Sequence, residues 1–234
     1  MKRFSMWYFL GCAAVVLLPS TGAFGQMQPG LSLLPFVESG GTFYLHLPSE
    51  NIHARADQAG VYFGLDIEVR KGPKFGYRFG MLSGSRGYVE EYQRAGRYHT
   101  LDHRVAELGW RFYVAQALRS NSSSVWELNY GLRAFPRIRS TINVSTSLGE
   151  SVMVRTSEAA SFGFMVGATR SSSAWLHGKL RVGVMVDLQI ASAQPYLEVP
   201  WVNYDNLWVG GSRLFIGVAL SYRVVRMQWT NVPE

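Results

Sequence analysis

The chain has 234 residues, 47% of them apolar and 14% aromatic, with a mean hydropathy of +0.01 and a formal charge of +7. That length suits one domain. After the first 25 residues no run reaches the roughly 18 apolar residues of a membrane-crossing helix, and the basic residues are spread singly, which argues against a helical membrane protein and a nucleic-acid-binding patch.

Residues 1–25 read as a secretory signal peptide. Lys2 and Arg3 open it, Phe9 to Leu18 form its apolar stretch, and Ala23-Phe24-Gly25 is a small-x-small cleavage site that leaves Gln26 first in the mature chain. An uncleaved anchor helix is the alternative, but the apolar run is short for a span. The one cysteine, Cys12, lies inside this segment. A lipid attachment site at Phe9-Leu10-Gly11-Cys12 is disfavoured because the apolar run continues past it. The mature chain then carries no disulfide, thiolate metal site or cysteine nucleophile. Its charge of +7 less the two charges of Lys2 and Arg3 is +5.

Residues 26–234 read as one barrel domain of eight strands. Successive side chains of a strand point to opposite faces. Strand one runs from Leu31 to about Leu47, with Leu31, Leu33, Val37, Phe43 and Leu45 on one face, interrupted by Pro35 and Gly40-Gly41. Strand two, Val61 to Arg70, sets Val61, Phe63, Leu65, Ile67 and Val69 against Tyr62, Gly64, Asp66, Glu68 and Arg70. Strand three, Phe75 to about Tyr88, has Phe75, Tyr77, Phe79 and Met81 opposite Arg78; strand four, Leu101 to Leu118, has Leu108, Trp110, Phe112 and Val114 opposite Glu107, Arg111 and Tyr113. Strand five, Val125 to about Ile138, has Trp126, Leu128, Tyr130 and Leu132 opposite Glu127, Asn129 and Arg133. Strand six, Ala159 to Arg170, alternates Phe162, Phe164, Val166 and Ala168 with Ser161, Gly163, Gly167 and Thr169. Strand seven alternates most regularly: Leu180, Val182, Val184, Val186, Leu188 and Ile190 against Arg181, Gly183, Met185, Asp187 and Gln189. Strand eight, Arg213 to Val225, has Leu214, Ile216, Val218, Leu220, Tyr222 and Val224 opposite Arg213, Ser221 and Arg223.

One face is apolar throughout and the other charged, and no chain is left over for a second layer. A closed antiparallel up-and-down sheet with its apolar face in lipid satisfies both. Short turns at Lys71–Lys74, Arg119–Ser124 and Ser171–Ser173 alternate with long connections at about 48–60, 89–100, 139–158 and 191–212. Short periplasmic turns and long outside loops are the pattern of outer-membrane barrels, which predicts both termini on the periplasmic side. Tyr62, Tyr77, Tyr88, Trp126, Trp175, Trp208, Tyr222 and Trp229 are expected to form interface girdles.

The stretches Gly60-Val-Tyr-Phe-Gly-Leu-Asp-Ile-Glu-Val-Arg70, Gly178-Lys-Leu-Arg-Val-Gly-Val-Met-Val-Asp187 and Leu214-Phe-Ile-Gly-Val-Ala-Leu-Ser-Tyr-Arg223 give the mature chain a resemblance to the small eight-stranded outer-membrane β-barrels, including the PorT-like and OmpA-transmembrane-domain-like groups. The resemblance implies an envelope protein with a structural, binding or assembly-anchor role, and for the PorT-like group a part in secretion. It departs from the family at the end: the tail closes on Glu234, so an aromatic assembly signal would be internal, near Tyr222 or Trp229.

The inward set Asp66, Glu68, Arg70, Arg78, Glu107, Arg111, Glu127, Arg133, Lys179, Arg181, Asp187, Arg213 and Arg223 is the first candidate site. An eight-stranded barrel is just wide enough for side chains to fill, so these charges are expected to plug the lumen as ion pairs. A narrow conduit, anion-selective or for hydrophobic compounds, is the alternative. Asp102-His103, beside His99, is the one constellation suited to a general base, as in lipid-modifying or proteolytic barrels, but it has no evident serine partner. No catalytic residue, metal ligand or cofactor site is assigned, and the chain is expected not to be an enzyme. Tyr196, Trp201, Tyr204 and Trp208, in an aromatic-rich loop, are candidate binding residues. The expected partners are outer-membrane lipid and other envelope proteins, not nucleic acid. A secreted lipocalin-like barrel would reverse the two faces.

Overall fold

In the computed structural model, residues 29–45, 52–57, 59–94, 97–120, 123–149, 151–158, 160–191, 193–195, 208–210 and 212–228 are described. The expected signal peptide, residues 1–25, and the tail beyond residue 228 lie outside them.

The strands in chain order are β1 (Gly30–Tyr44), β2 (Ile52–Asp57), β3 (Ala59–Arg70), β4 (Phe75–Arg94), β5 (Arg97–Ser120), β6 (Ser124–Thr146), β7 (Ser151–Glu158), β8 (Ser161–Ser172), β9 (Leu180–Ile190), β10 (Ala193–Pro195), β11 (Trp208–Gly210), β12 (Arg213–Tyr222) and β13 (Val225–Gln228). Several are halves of one stave. Both β2 and β3 pair with β4, and both β7 and β8 pair with β6. Likewise β12 and β13 pair with successive parts of β1. Every pairing is antiparallel, and the ring runs β1-β3-β4-β5-β6-β8-β9-β12 and back to β1. This is an all-β, eight-staved, up-and-down barrel with no sheet edge left open through its body.

Side-chain direction follows the alternation seen in the sequence. Phe63, Leu65, Phe79, Met81, Trp110, Phe112, Phe164, Val186 and Leu188 are exposed on the outer wall, while Asp66, Glu68, Arg78, Arg111, Arg133, Arg181 and Asp187 are buried inside. Gly30 and Gln228 are paired at the end that also carries the three tight turns, so the two ends of the described barrel lie together.

Two expectations are corrected. The connections at about 89–100 and 139–158 are largely strand: β4 and β5 stay paired as far as Arg94↔Arg97, and β6 continues to Thr146 before β7 returns. Their alternation fades in the sequence because these segments lie beyond the apolar belt. A barrel strand crosses a bilayer in about 9–11 residues. With 24 and 23 residues, β5 and β6 rise well past one rim, whereas β9, with 11, does not. One side of the barrel therefore carries a raised wall made of β2, the far half of β4, β5, β6 and β7. The turn expected at Ser171–Ser173 starts later, since β8 runs through Ser172 and the reversal is a 3₁₀ turn at Leu176–Gly178.

A β-bulge marks where the raised wall begins. Pairing of β5 with β6 passes from Trp110↔Ala134 to Leu108↔Arg137, so Phe135 and Pro136 face the single residue Gly109. Proline suits the unpaired position because it has no N–H to donate. Beyond it the inward set is Ile138, Ser140, Ile142 and Val144, and Arg137 and Arg139 face out.

The girdle expectation holds in part of the set. Tyr77 is exposed on the outer wall, and Trp126 and Trp175 flank the Arg170 guanidinium, with ring centroids at 5.4 and 5.5 Å. Tyr62 and Tyr88 are corrected: both are buried inside the barrel, as their place on the inward register requires. Trp229 lies outside the described residues.

Candidate functional site

The interior is an ionic lattice in three tiers. Nearest the tight turns, Glu68 accepts from Arg78 Nε at 2.6 Å and from Arg181 Nη1 at 2.9 Å. Glu127 accepts from Arg78 Nη2 at 2.7 Å and from Arg70. Arg78 Nη1 also donates to Asn129 Oδ1 at 3.2 Å.

In the middle tier Arg111 grips Asp66 with two bonds, Nε to Oδ1 at 2.9 Å and Nη2 to Oδ2 at 2.7 Å. Such a forked pair is the strongest geometry available to these groups. Tyr113 donates its hydroxyl to the same carboxylate at 2.6 Å. Glu38, from β1, accepts from Arg111 and from Arg133 Nη2, the latter at 2.6 Å. Arg133 Nη1 lies 3.2 Å from Asp187, which accepts from Gln189 Nε2 at 2.6 Å. The Arg111 guanidinium is stacked 3.4 Å from the centroid of Phe36.

In the third tier Glu107 accepts from Tyr62 Oη at 2.6 Å, from Arg86 Nε at 3.1 Å and from Arg213. Above it a buried apolar layer that includes Tyr88, Val105, Phe135 and Ile138 closes the interior toward the raised wall. Space for the lattice comes from small inward residues. A Cβ on Gly80 would fall 1.9 Å from Asp66 Oδ1 and 2.8 Å from the Leu65 carbonyl.

Seven inward arginines and six carboxylates are thus buried among the described residues. Unpaired, each ion would cost several kcal/mol to take out of water; here each has a charged partner. The interior retains a cavity of about 20 Å³ beside Phe36, Glu38, Met165 and Met185, room for about one water.

Of the residues singled out from the sequence, Asp66, Glu68, Arg70, Arg78, Glu107, Arg111, Glu127, Arg133, Arg181, Asp187 and Arg213 are brought together in this lattice. Arg223 is half-buried, 3.7 Å from Glu68. Lys179 is corrected: it is exposed in the turn before β9, one residue short of the strand whose alternation would have turned it inward. Glu38 and Arg86 belong to the lattice without having been singled out, and Gln189, read on the inward face of its strand, joins it through Asp187. Glu38 falls on the register opposite Val37 but was hidden by Pro35 and Gly40-Gly41, which blur strand one. Arg86 follows a serine- and glycine-rich stretch with no apolar partner face.

The Asp102-His103 dyad does not form. Adjacent residues of a strand face opposite ways. Asp102 points outward to Arg104 at 3.3 Å, while His103 points inward and stacks on Tyr88 with centroids 4.1 Å apart. Tyr196, Trp201 and Tyr204 lie outside the described residues, and Trp208 begins β11, its backbone paired with Pro195.

The ion pairs are inside, and large apolar side chains such as Phe63, Trp110, Phe164 and Leu188 cover the outside. Water cannot be the solvent of that outer wall. The chain is a membrane β-barrel of the outer-membrane type. No protein-family model matches it, and no curated protein does. Among solved structures the barrel is similar to Ail, the attachment invasion locus protein of Yersinia pestis, solved alone and with the heparin analogue sucrose octasulfate: 10% identity over 84% of this chain and 99% of that one, with a TM-score of 0.34. It is also similar to the outer membrane protease OmpT of Escherichia coli, at 9% identity over 87% of this chain and 99% of that one, with a TM-score of 0.40. Because OmpT is a protease, the expectation that this chain is not an enzyme does not stand.

Proposed function

We propose that this barrel is a sealed scaffold of the outer membrane, with its termini and tight turns in the periplasm and its raised wall outside the cell as a binding or anchoring surface. The observation that carries the reading is the Glu38–Arg133 pair, which crosses the middle of the lumen at 2.6 Å. An ionic lattice tied wall to wall favours a plug over the conduit reading. The length of β5 and β6 beyond the apolar belt supports the wall as the presented surface. The likeness of the strand pattern to PorT-like barrels fits an anchor within a larger envelope assembly.

Two measurements test this. Purified barrel in planar bilayers should give no discrete conductance steps; regular steps would replace the plug with a pore. A tag inserted after Leu148, in the reversal between β6 and β7, should be labelled on intact cells, and a tag after Gln228 should not. The opposite pattern would invert the orientation.

A further inference from the structure

The outer wall carries a notch and a basic cluster in the same place. The notch lies between β4, β5 and β6, is lined by Phe79, Trp110, Arg111, Phe112, Leu132, Arg133 and Ala134, with the guanidinium groups of Arg111 and Arg133 engaged on lumen carboxylates, and has a volume of about 150 Å³. It exists because Ala134 is small among large neighbours and because the bulge bends β6 just beyond it. Its lining is apolar and faces lipid, so its natural content is hydrocarbon.

Directly beyond it the bulge brings arginines onto the same face. Arg137 pairs with Leu108, one outward position from the Trp110↔Ala134 rung, so it stands about 7 Å above the notch. Arg139 is the next outward residue of β6, and Arg155 of β7 pairs with Thr141, the outward residue after that. Arg139 lies about 7 Å from Arg137 along β6 and on the diagonal from Arg155 across to β7, so the three form one basic strip centred on Arg139. All three are exposed and none meets a carboxylate among the described residues. Asp102, on the outer face of β5, is paired with Arg104. Had strict alternation run unbroken through Pro136, Arg137 and Arg139 would face the lumen.

We propose that this face binds a phosphorylated membrane lipid, its phosphate held by Arg137, Arg139 and Arg155 and an acyl chain lying in the notch at Ala134. Arginine is suited to the headgroup because its planar fork matches phosphate oxygens. A phosphoryl group at the rim and a hydrocarbon chain below it reproduce the order of the site along the membrane normal. The inference rests on the membrane placement of the outer face.

The test uses the mature barrel folded in zwitterionic detergent and titrated with short-chain phosphatidic acid, short-chain phosphatidylcholine or inorganic phosphate, with bound lipid read by native mass spectrometry. Phosphatidic acid should bind at least tenfold more tightly than phosphatidylcholine. The combined variant Arg137→Gln, Arg139→Gln, Arg155→Gln should lose that preference. Ala134→Phe, which fills the notch, should weaken both lipids several-fold and keep the preference. A triple variant that still prefers phosphatidic acid, or inorganic phosphate that displaces the lipid at equal concentration, overturns the proposal. Each protein is also run boiled and unboiled on a gel. Wild-type chain without a heat-dependent shift would mean that the barrel reading had failed, a result separate from loss of lipid preference.

Discussion

Glu38 and Arg133 lie on opposite staves of the barrel, four positions apart around an eight-membered ring, and their side chains meet at 2.6 Å. Arg213 and Glu107 form a second diametric pair one tier higher. These two contacts tie the wall across its full width, where backbone pairing ties only neighbours.

Removing one partner should therefore cost far more than an exposed ion pair does. Glu38→Ala leaves Arg111 with Asp66 and Arg133 with only Asp187, both buried in the lumen. The expected loss is about 3–5 kcal/mol, against under about 1 kcal/mol for Asp102→Ala at the surface. Urea unfolding in lipid bilayers would check it, and equal losses for the two variants would refute the lattice.

The outer wall makes its own prediction. Val186 pairs with Val166 and Ile216 near the middle of the apolar belt. An arginine there should cost about 2–4 kcal/mol if the wall faces the bilayer midplane. Folding yield of Val186→Arg into liposomes measures it, with Met153→Arg on β7 as the control beyond the belt. A harmless Val186→Arg would place this face in water.

Gly80 should tolerate no side chain, since its Cβ would collide with both Asp66 and the Leu65 backbone. Gly80→Leu is expected to give no heat-shifted band on a gel, whereas Gly72→Ala, with nothing within 4 Å of the added atom, should behave as wild type.

The bulge predicts an asymmetry between two deletions. Removing Pro136 leaves Arg137 outward and Ile138 inward, so the barrel should still fold, with a narrower notch. Removing Leu132 instead would exchange the faces of the residues between it and the bulge and turn Arg133 toward lipid, because a one-residue slip reverses a strand. That variant should not fold. If both deletions fold alike, the register around Gly109 is wrong.

Much of this was legible in the chain itself, and the reason is geometric. A two-residue period assigns faces without knowledge of which strands meet, so Leu180 to Ile190 already separated lipid from lumen. Eight such stretches with alternating short and long gaps were enough for a closed up-and-down barrel. The period could not reveal exceptions to itself. At Pro136 it misses the extra residue that sends Arg137 and Arg139 outward, and at Asp102-His103 a sequence neighbour looked like a partner although the strand sets the two apart. Nor does a face assignment say which inward charges meet. Glu38 finds Arg133, 95 residues away, only because the ring closes and brings β1 opposite β6. The sequence by itself determined the inside and the outside of this protein, because side-chain direction in a strand is local. The ion pairs, the raised wall and the notch beneath the arginines were decided by the tertiary structure, because they depend on strand register and ring closure.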